Sequence, residues 1–162
     1  MTGAFETAAE IEIAIASMFN PRQNAIAPNV SWGFGLHECD LLIITKAGYA
    51  IEVEIKVTKS DIIADQKKRH HHHSNKIRKL YFAIPKKLEP HSDLIPLAAG
   101  IITVDYRGHK RITRAALPNR TAVKLEPKEV NEIYRLAALR IWGLKRKILA
   151  LKGIQSVMEM DV

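Results

Sequence analysis

Residues 49–57 read Tyr-Ala-Ile-Glu-Val-Glu-Ile-Lys-Val (YAIEVEIKV), and residues 40–45, just before them, read DLLIIT. The strict alternation in the first stretch is the signature of a β-strand, because successive side chains point to opposite faces. Lys46-Ala47-Gly48 between the two stretches has the character of a tight turn, so together they predict a hairpin. Val53, Ile55 and Val57 form a natural core face. Glu52, Glu54 and Lys56 share the other face. A purely structural strand has no need of two acids and a lysine in its middle. Asp40 opens the adjoining strand, which brings its carboxylate beside those of Glu54 and Glu52. Crowded carboxylates repel one another unless a cation lies between them, and hard oxygen donors select Mg²⁺ or Mn²⁺ over Zn²⁺. A metal held by Asp40 and Glu54 can polarise a phosphodiester, with Lys56 aiding the attacking water or the developing charge. The competing reading is an exposed sheet face laced with cross-strand ion pairs.

Outward from the hairpin, the chain alternates helix and strand signals. Residues 7–19 are rich in helix formers, Thr7 and Glu10 match a capping box, and Asn20-Pro21 ends the segment. Residues 26–32 predict a strand, followed by a turn at Gly33-Phe34-Gly35. A helix is expected from Ser60, as N-cap, to about Arg69. Strands follow at 79–84, 100–105 and 109–114, and a long helix spans about 127–152. The expectation is one α/β domain: a mixed central sheet flanked by helices, ordered helix, three strands, helix, strand. Its core covers about residues 5–115, with extra strands and a long C-terminal helix.

With 162 residues, 47% of them apolar, the chain can fill one core. Net charge is +8, concentrated in two blocks. Residues 56–87 carry ten Lys or Arg against two acids, and residues 135–152 carry six basic residues and no acid. Such blocks suit a polyanion, above all DNA. Lys59, Lys67, Lys68 and Arg69 are the candidate phosphate contacts. The apolar runs are too short to span a bilayer, and the single cysteine, Cys39, fits a reducing compartment, so a cytoplasmic location is expected.

The pattern of Asp40 followed, after a hairpin, by Glu54-Ile55-Lys56 resembles the PD-(D/E)xK nuclease superfamily. The stretch VEIKVTKSDIIADQKK (53–68) resembles more narrowly the MmcB-like, DNA-repair-linked branch. The resemblance covers roughly residues 5–85, and Cys39 stands at the position of the name-giving proline. It implies a restriction-endonuclease-like core and Mg²⁺- or Mn²⁺-dependent DNA cleavage in repair, recombination or mobile-element biology. It further implies Asp40, Glu54 and Lys56 as catalytic residues, with Asp40 and Glu54 as ligands and Glu10 or Glu52 completing the shell. Gln66, on the helix after the strand, is a weaker site candidate. The alternative function is a catalytically silent DNA-binding accessory protein on the same fold.

Two features remain. Four consecutive histidines, His70 to His73, read as a basic loop near DNA, because neighbouring side chains diverge and make a poor metal site. In the last helix, Ile133, Leu136, Ala137, Ile141, Leu144, Ile148 and Leu151 recur at helical spacing and should pack on the body. Trp142 lies roughly opposite and suggests a homodimer contact.

Overall fold

A computed structural model describes residues 7–30, 37–67, 72 and 74–160, the last with side chains to 152. The turn at 33–35, Lys68, Arg69, His70, His71 and His73 lie outside the described residues. Six strands form one sheet: β1 (Ala25–Val30), β2 (Cys39–Ile44), β3 (Ala50–Ile55), β4 (Ile77–Pro85), β5 (Gly100–Val104) and β6 (Lys110–Arg114). They lie side by side in chain order. The pairs β1–β2, β2–β3 and β5–β6 are antiparallel, whereas β3–β4 and β4–β5 are parallel. The expected α/β architecture with a mixed sheet is what the chain adopts.

Local chemistry explains the boundaries. Helix α1 (Ala8–Met18) starts at the expected capping box: the Thr7 hydroxyl accepts from the Glu10 amide, and Glu10 Oε2 accepts from the Thr7 amide at 2.9 Å. The β2–β3 hairpin turns through Gly48, whose φ of +86° suits a residue without Cβ. Parallel pairing of β3 with β4 requires a crossover, and α2 (Lys59–Asp65) supplies it. This helix begins two residues earlier than expected and stops sooner. Thr58, not Ser60, accepts from the Asp61 amide, while Asp61 Oδ2 accepts from the Thr58 amide at 2.9 Å. A 3₁₀ segment (Lys86–Leu94), which the sequence pattern does not announce, covers the end of β4.

Each face of the sheet has its own core. On one side Ile11, Ala14 and Ile15 of α1 pack on Leu41, Ile43, Val53, Ile55 and neighbouring strands. The other side carries two separate clusters. Leu42, Ile44, Ala50 and Ile77 lie beneath Leu125 and Ile133, the latter from α3 (Pro127–Met160). Phe82, Ile84 and Ile101 lie beneath Ile62 of α2 together with Leu88 and Ile95. Glu52, Glu54 and Lys56 are buried on this same side of β3.

The C-terminal helix departs from expectation. Ile133 is fully buried and Leu136 and Ala137 are half-buried, but Ile141, Leu144, Ile148 and Leu151 are exposed, as is Trp142. At 34 residues the helix is about 50 Å long, more than a sheet of five- to nine-residue strands can cover. Its apolar stripe therefore outruns the body. No helix among the described residues is long and apolar enough to cross a membrane.

Candidate active site

Strand alternation puts Glu52 and Glu54 on one face of β3 and carries Lys56, directly after the strand, to the same side, and the crossover then lays α2 over them. Ile62, almost wholly buried, anchors α2 against the cluster around Phe82. Asp65 lies three residues further along the same helix face and is carried to the strand end. Lys56 Nζ lies 2.7 Å from Glu54 Oε2 and 2.8 Å from Asp65 Oδ1. All three are buried, Glu54 to 1% exposure and Lys56 to 7%. Taking such charges out of water costs several kcal/mol per ion, and close pairing is what offsets it.

Glu52, at 0% exposure, anchors the second half of the cluster. His37 Nε2 lies 2.8 Å from both of its carboxylate oxygens, and His72 Nδ1 lies 2.7 Å from Oε1. The other ring nitrogen of His72, Nε2, lies 2.7 Å from Asp65 Oδ2. A carboxylate at each nitrogen requires both to carry protons, so His72 is an imidazolium. Burial alone would lower its pKa, but the hydrogen bonds to Asp65 and Glu52 outweigh it and raise the value from 6.5 to about 9. For Glu52, burial favours the neutral acid, yet the bonds from His37 and His72 hold its pKa below the usual range. Asp65 thus faces both cations, Lys56 through one oxygen and His72 through the other. The His72 ring also stands edge-on to His37 (centroids 5.3 Å) and to Phe82 (5.8 Å).

The expected residues fall into separate places. Glu54 and Lys56 meet directly. Asp40 sits next to the Leu41–Val53 pair, hence across from Glu54, but its Oδ2 accepts from the Ile55 amide at 2.7 Å. It is also close enough to Glu12 of α1 that its charge, added to burial, raises the Glu12 pKa. The α1 acid that faces Asp40 is therefore Glu12, whereas Glu10 closes the capping box. Gln66 donates to the Leu94 carbonyl at 2.7 Å, tying α2 to the 3₁₀ segment rather than entering the cluster. Lys59 and Lys67 are exposed at the two ends of α2.

Two sets of ligand atoms converge among the described residues: His37, Glu52 and His72, and Glu54, Asp65 and His72. Within each set the atoms lie within 4.8 Å of one another. Asp40 belongs to neither. Sequence reasoning missed His37 and Asp65, and set His72 aside with the rest of the histidine run. The one available signal was the phase of α2, which puts Asp65 on the face of Ile62.

A family model described as DNA repair protein MmcB-like matches residues 2–147. A solved structure of a protein of unknown function from Silicibacter pomeroyi is similar to this chain. It has a TM-score of 0.58 and 18% sequence identity, over 88% of each chain, which shows a shared fold. No curated protein matches the sequence significantly.

Proposed function

The chain belongs to the MmcB-like family of DNA repair proteins, and from that premise we propose that it is a metal-dependent DNA nuclease of the PD-(D/E)xK type. One observation carries the reading: the Glu-x-Lys of β3 is buried, with the Lys56 ammonium held between Glu54 and Asp65 at 2.7 and 2.8 Å. A sheet that needed only stability would have apolar side chains there, since replacing buried ion pairs by well-packed apolar groups is often neutral or stabilising.

The donors fit a hard divalent ion. Glu54 and Asp65 offer carboxylate oxygens within 4.8 Å, and Mg²⁺ commonly takes one or two carboxylates while keeping several waters. Those two residues, rather than Asp40 with Glu54, would hold Mg²⁺ or Mn²⁺. When bound, the ion would acidify a water and polarise the phosphodiester. Lys56 is positioned by its two carboxylates to face charge developing on the phosphate. Asp40, through the Ile55 amide, fixes where β3 ends and so where Lys56 points. Lys59 and Lys67, exposed at the ends of α2, would hold DNA phosphates near the cluster, together with Lys68 and Arg69. Self-association through the exposed apolar residues of α3, Trp142 among them, completes the proposal. Its support is that Leu139, Trp142 and Leu149, three and seven residues apart and so on one side of the helix, are all exposed. Cleavage of defined DNA substrates with Mg²⁺, set against EDTA, tests the enzymatic reading.

A second reading has its own observation. Lys56 and His72 already neutralise much of the charge on Glu52, Glu54 and Asp65 without a metal. A DNA-binding accessory protein that has kept the fold and lost cleavage would look the same. It would bind DNA equally in EDTA and Mg²⁺ and cut nothing.

A further inference from the structure

We propose that His37, Glu52 and His72 form a binding site for a divalent transition-metal ion, with Asp65 as the residue that holds His72 in place. Its three ligands differ from the Glu54–Asp65 pair, although Asp65 borders both, and it does not rest on the nuclease reading.

The donor set carries the argument. Two imidazoles and one carboxylate converge with their ligand atoms within 4.8 Å, from three separate parts of the chain. This is the set that open Zn²⁺ sites use, three protein ligands with a fourth position left for water or substrate. Imidazole suits Zn²⁺, Fe²⁺ and their neighbours and not Mg²⁺, so the chemistry differs from that of an all-carboxylate site. Ligand atoms about a tetrahedral Zn²⁺ stand roughly 3.3 Å apart, given metal–ligand bonds of ~2.0–2.1 Å. Here the His37–Glu52 and His72–Glu52 separations are 2.8 and 2.7 Å. Opening by about half an ångström while the shared protons leave would admit the ion.

The surroundings are those of a held ligand. Metal-binding histidines usually donate their second ring N–H to a carboxylate, which fixes the tautomer and the ring orientation. Asp65 Oδ2, 2.7 Å from His72 Nε2, occupies that position and leaves Nδ1 directed at Glu52. His72 also has a φ of +57°, a left-handed conformation that a non-glycine residue keeps only where its surroundings hold it. That backbone turns one member of a histidine run inward. A cleft of about 220 Å³, lined also by Arg78, Lys79 and Asn119, lies against His72.

The test uses full-length, metal-stripped protein titrated with Zn²⁺, Mn²⁺ or Mg²⁺ alone, followed by calorimetry and thermal melting. The proposal expects one tight Zn²⁺ per chain, a higher melting temperature, and no competition from millimolar Mg²⁺. His37→Gln and Glu52→Gln should each weaken Zn²⁺ binding by about a hundredfold or more, and Asp65→Asn by about 10- to 100-fold. If Glu52→Gln fails to fold, His37→Gln, which removes a ligand at the rim of the cluster, decides alone. With Co²⁺ as probe, the d–d bands should disappear in His37→Gln. A protein with His70, His71 and His73 all changed to Gln should bind as wild type does. No stoichiometric Zn²⁺ in the wild type would overturn the proposal. So would binding that survives His37→Gln but vanishes in the triple variant, since the ion would then sit on the histidine run.

Discussion

Asp65 Oδ1 lies 2.8 Å from Lys56 Nζ, and this contact joins the end of α2 to the end of β3. The other oxygen of Asp65 lies 2.7 Å from His72 Nε2, so a single helix residue faces both buried cations of the cluster. Helix phase delivers it: Thr58 and Asp61 set where α2 begins, Ile62 fixes which side faces the sheet, and Asp65 follows three residues later.

The first prediction concerns pH. His72 has a pKa of about 9 in the folded chain, against 6.5 as the ordinary value. A raised pKa contributes stability that is fully present below about 6.5 and lost as pH rises through about 9. The amount is on the order of 3 kcal/mol. Urea unfolding in EDTA at pH 6 and pH 9.5, for wild type and His72→Gln, measures it. Wild type should be the more stable at pH 6, with the gap narrowing by pH 9.5. A gap that does not change with pH would mean the ring is not held as an imidazolium.

Asp40→Asn should leave the fold intact, because the asparagine carbonyl can still accept from the Ile55 amide. Removing the charge also relieves its repulsion of Glu12, whose pKa is raised by burial and by Asp40. The Glu12 side chain, followed by NMR, should titrate at lower pH in the variant, and the melting temperature should hold or rise. A melting temperature several degrees lower would show that the contact to Ile55 needs a full carboxylate.

DNA binding should be independent of sequence and weaken steeply with salt. Changing Lys59, Lys67, Lys68 and Arg69 to Gln should lower both the affinity and the slope of log K against log salt, by about 0.9 for each phosphate no longer neutralised. Fluorescence anisotropy on one duplex across a salt series suffices. An unchanged slope would remove α2 and the residues after it from the DNA surface.

The α3 helix makes the opposite forecast for salt. Its apolar residues lie among Arg140, Lys145, Arg146 and Lys147, so two copies brought together repel through their charges and attract through their apolar side chains. Screening weakens only the repulsion. Sedimentation should therefore show dimers strengthened by salt and abolished in Trp142→Glu or Leu149→Glu. Monomers at all salt concentrations would leave α3 to some other partner.

Much of the architecture was legible because it is periodic. The alternation in 49–57, the glycine turn at 48 and the capping box at Thr7 each encode their structure within a few residues. The 3₁₀ segment at 86–94 has no such period, and Pro90 sits inside it. The pairing of Glu54 with Lys56 was readable from strand alternation alone. The partners from outside the strand were not. His37 and His72 lie 15 and 20 residues from Glu52; the β2–β3 hairpin brings the first to it and the β3–β4 crossover the second. The histidine run misled because it was weighed as a unit, and adjacent side chains in general make a poor metal site together. One turned inward was enough. The stripe on α3 misled because helical spacing records which residues share a face, not how far the body extends beneath them.

Cleavage by the Glu-x-Lys strand is the central claim, and Lys56→Met tests it most directly. Purified wild type and variant are to be compared on single-stranded, nicked, branched and duplex DNA with Mg²⁺, Mn²⁺ or EDTA, their melting temperatures measured alongside. The account predicts that wild type cuts at least one of these with metal and none in EDTA. It further predicts that Lys56→Met, still folded, cuts about a hundredfold or more slowly, the scale of losing one preorganised charge. A Lys56→Met protein that melts several degrees lower yet cuts at the wild-type rate would contradict the account, as would a folded wild type that cuts no substrate with either metal.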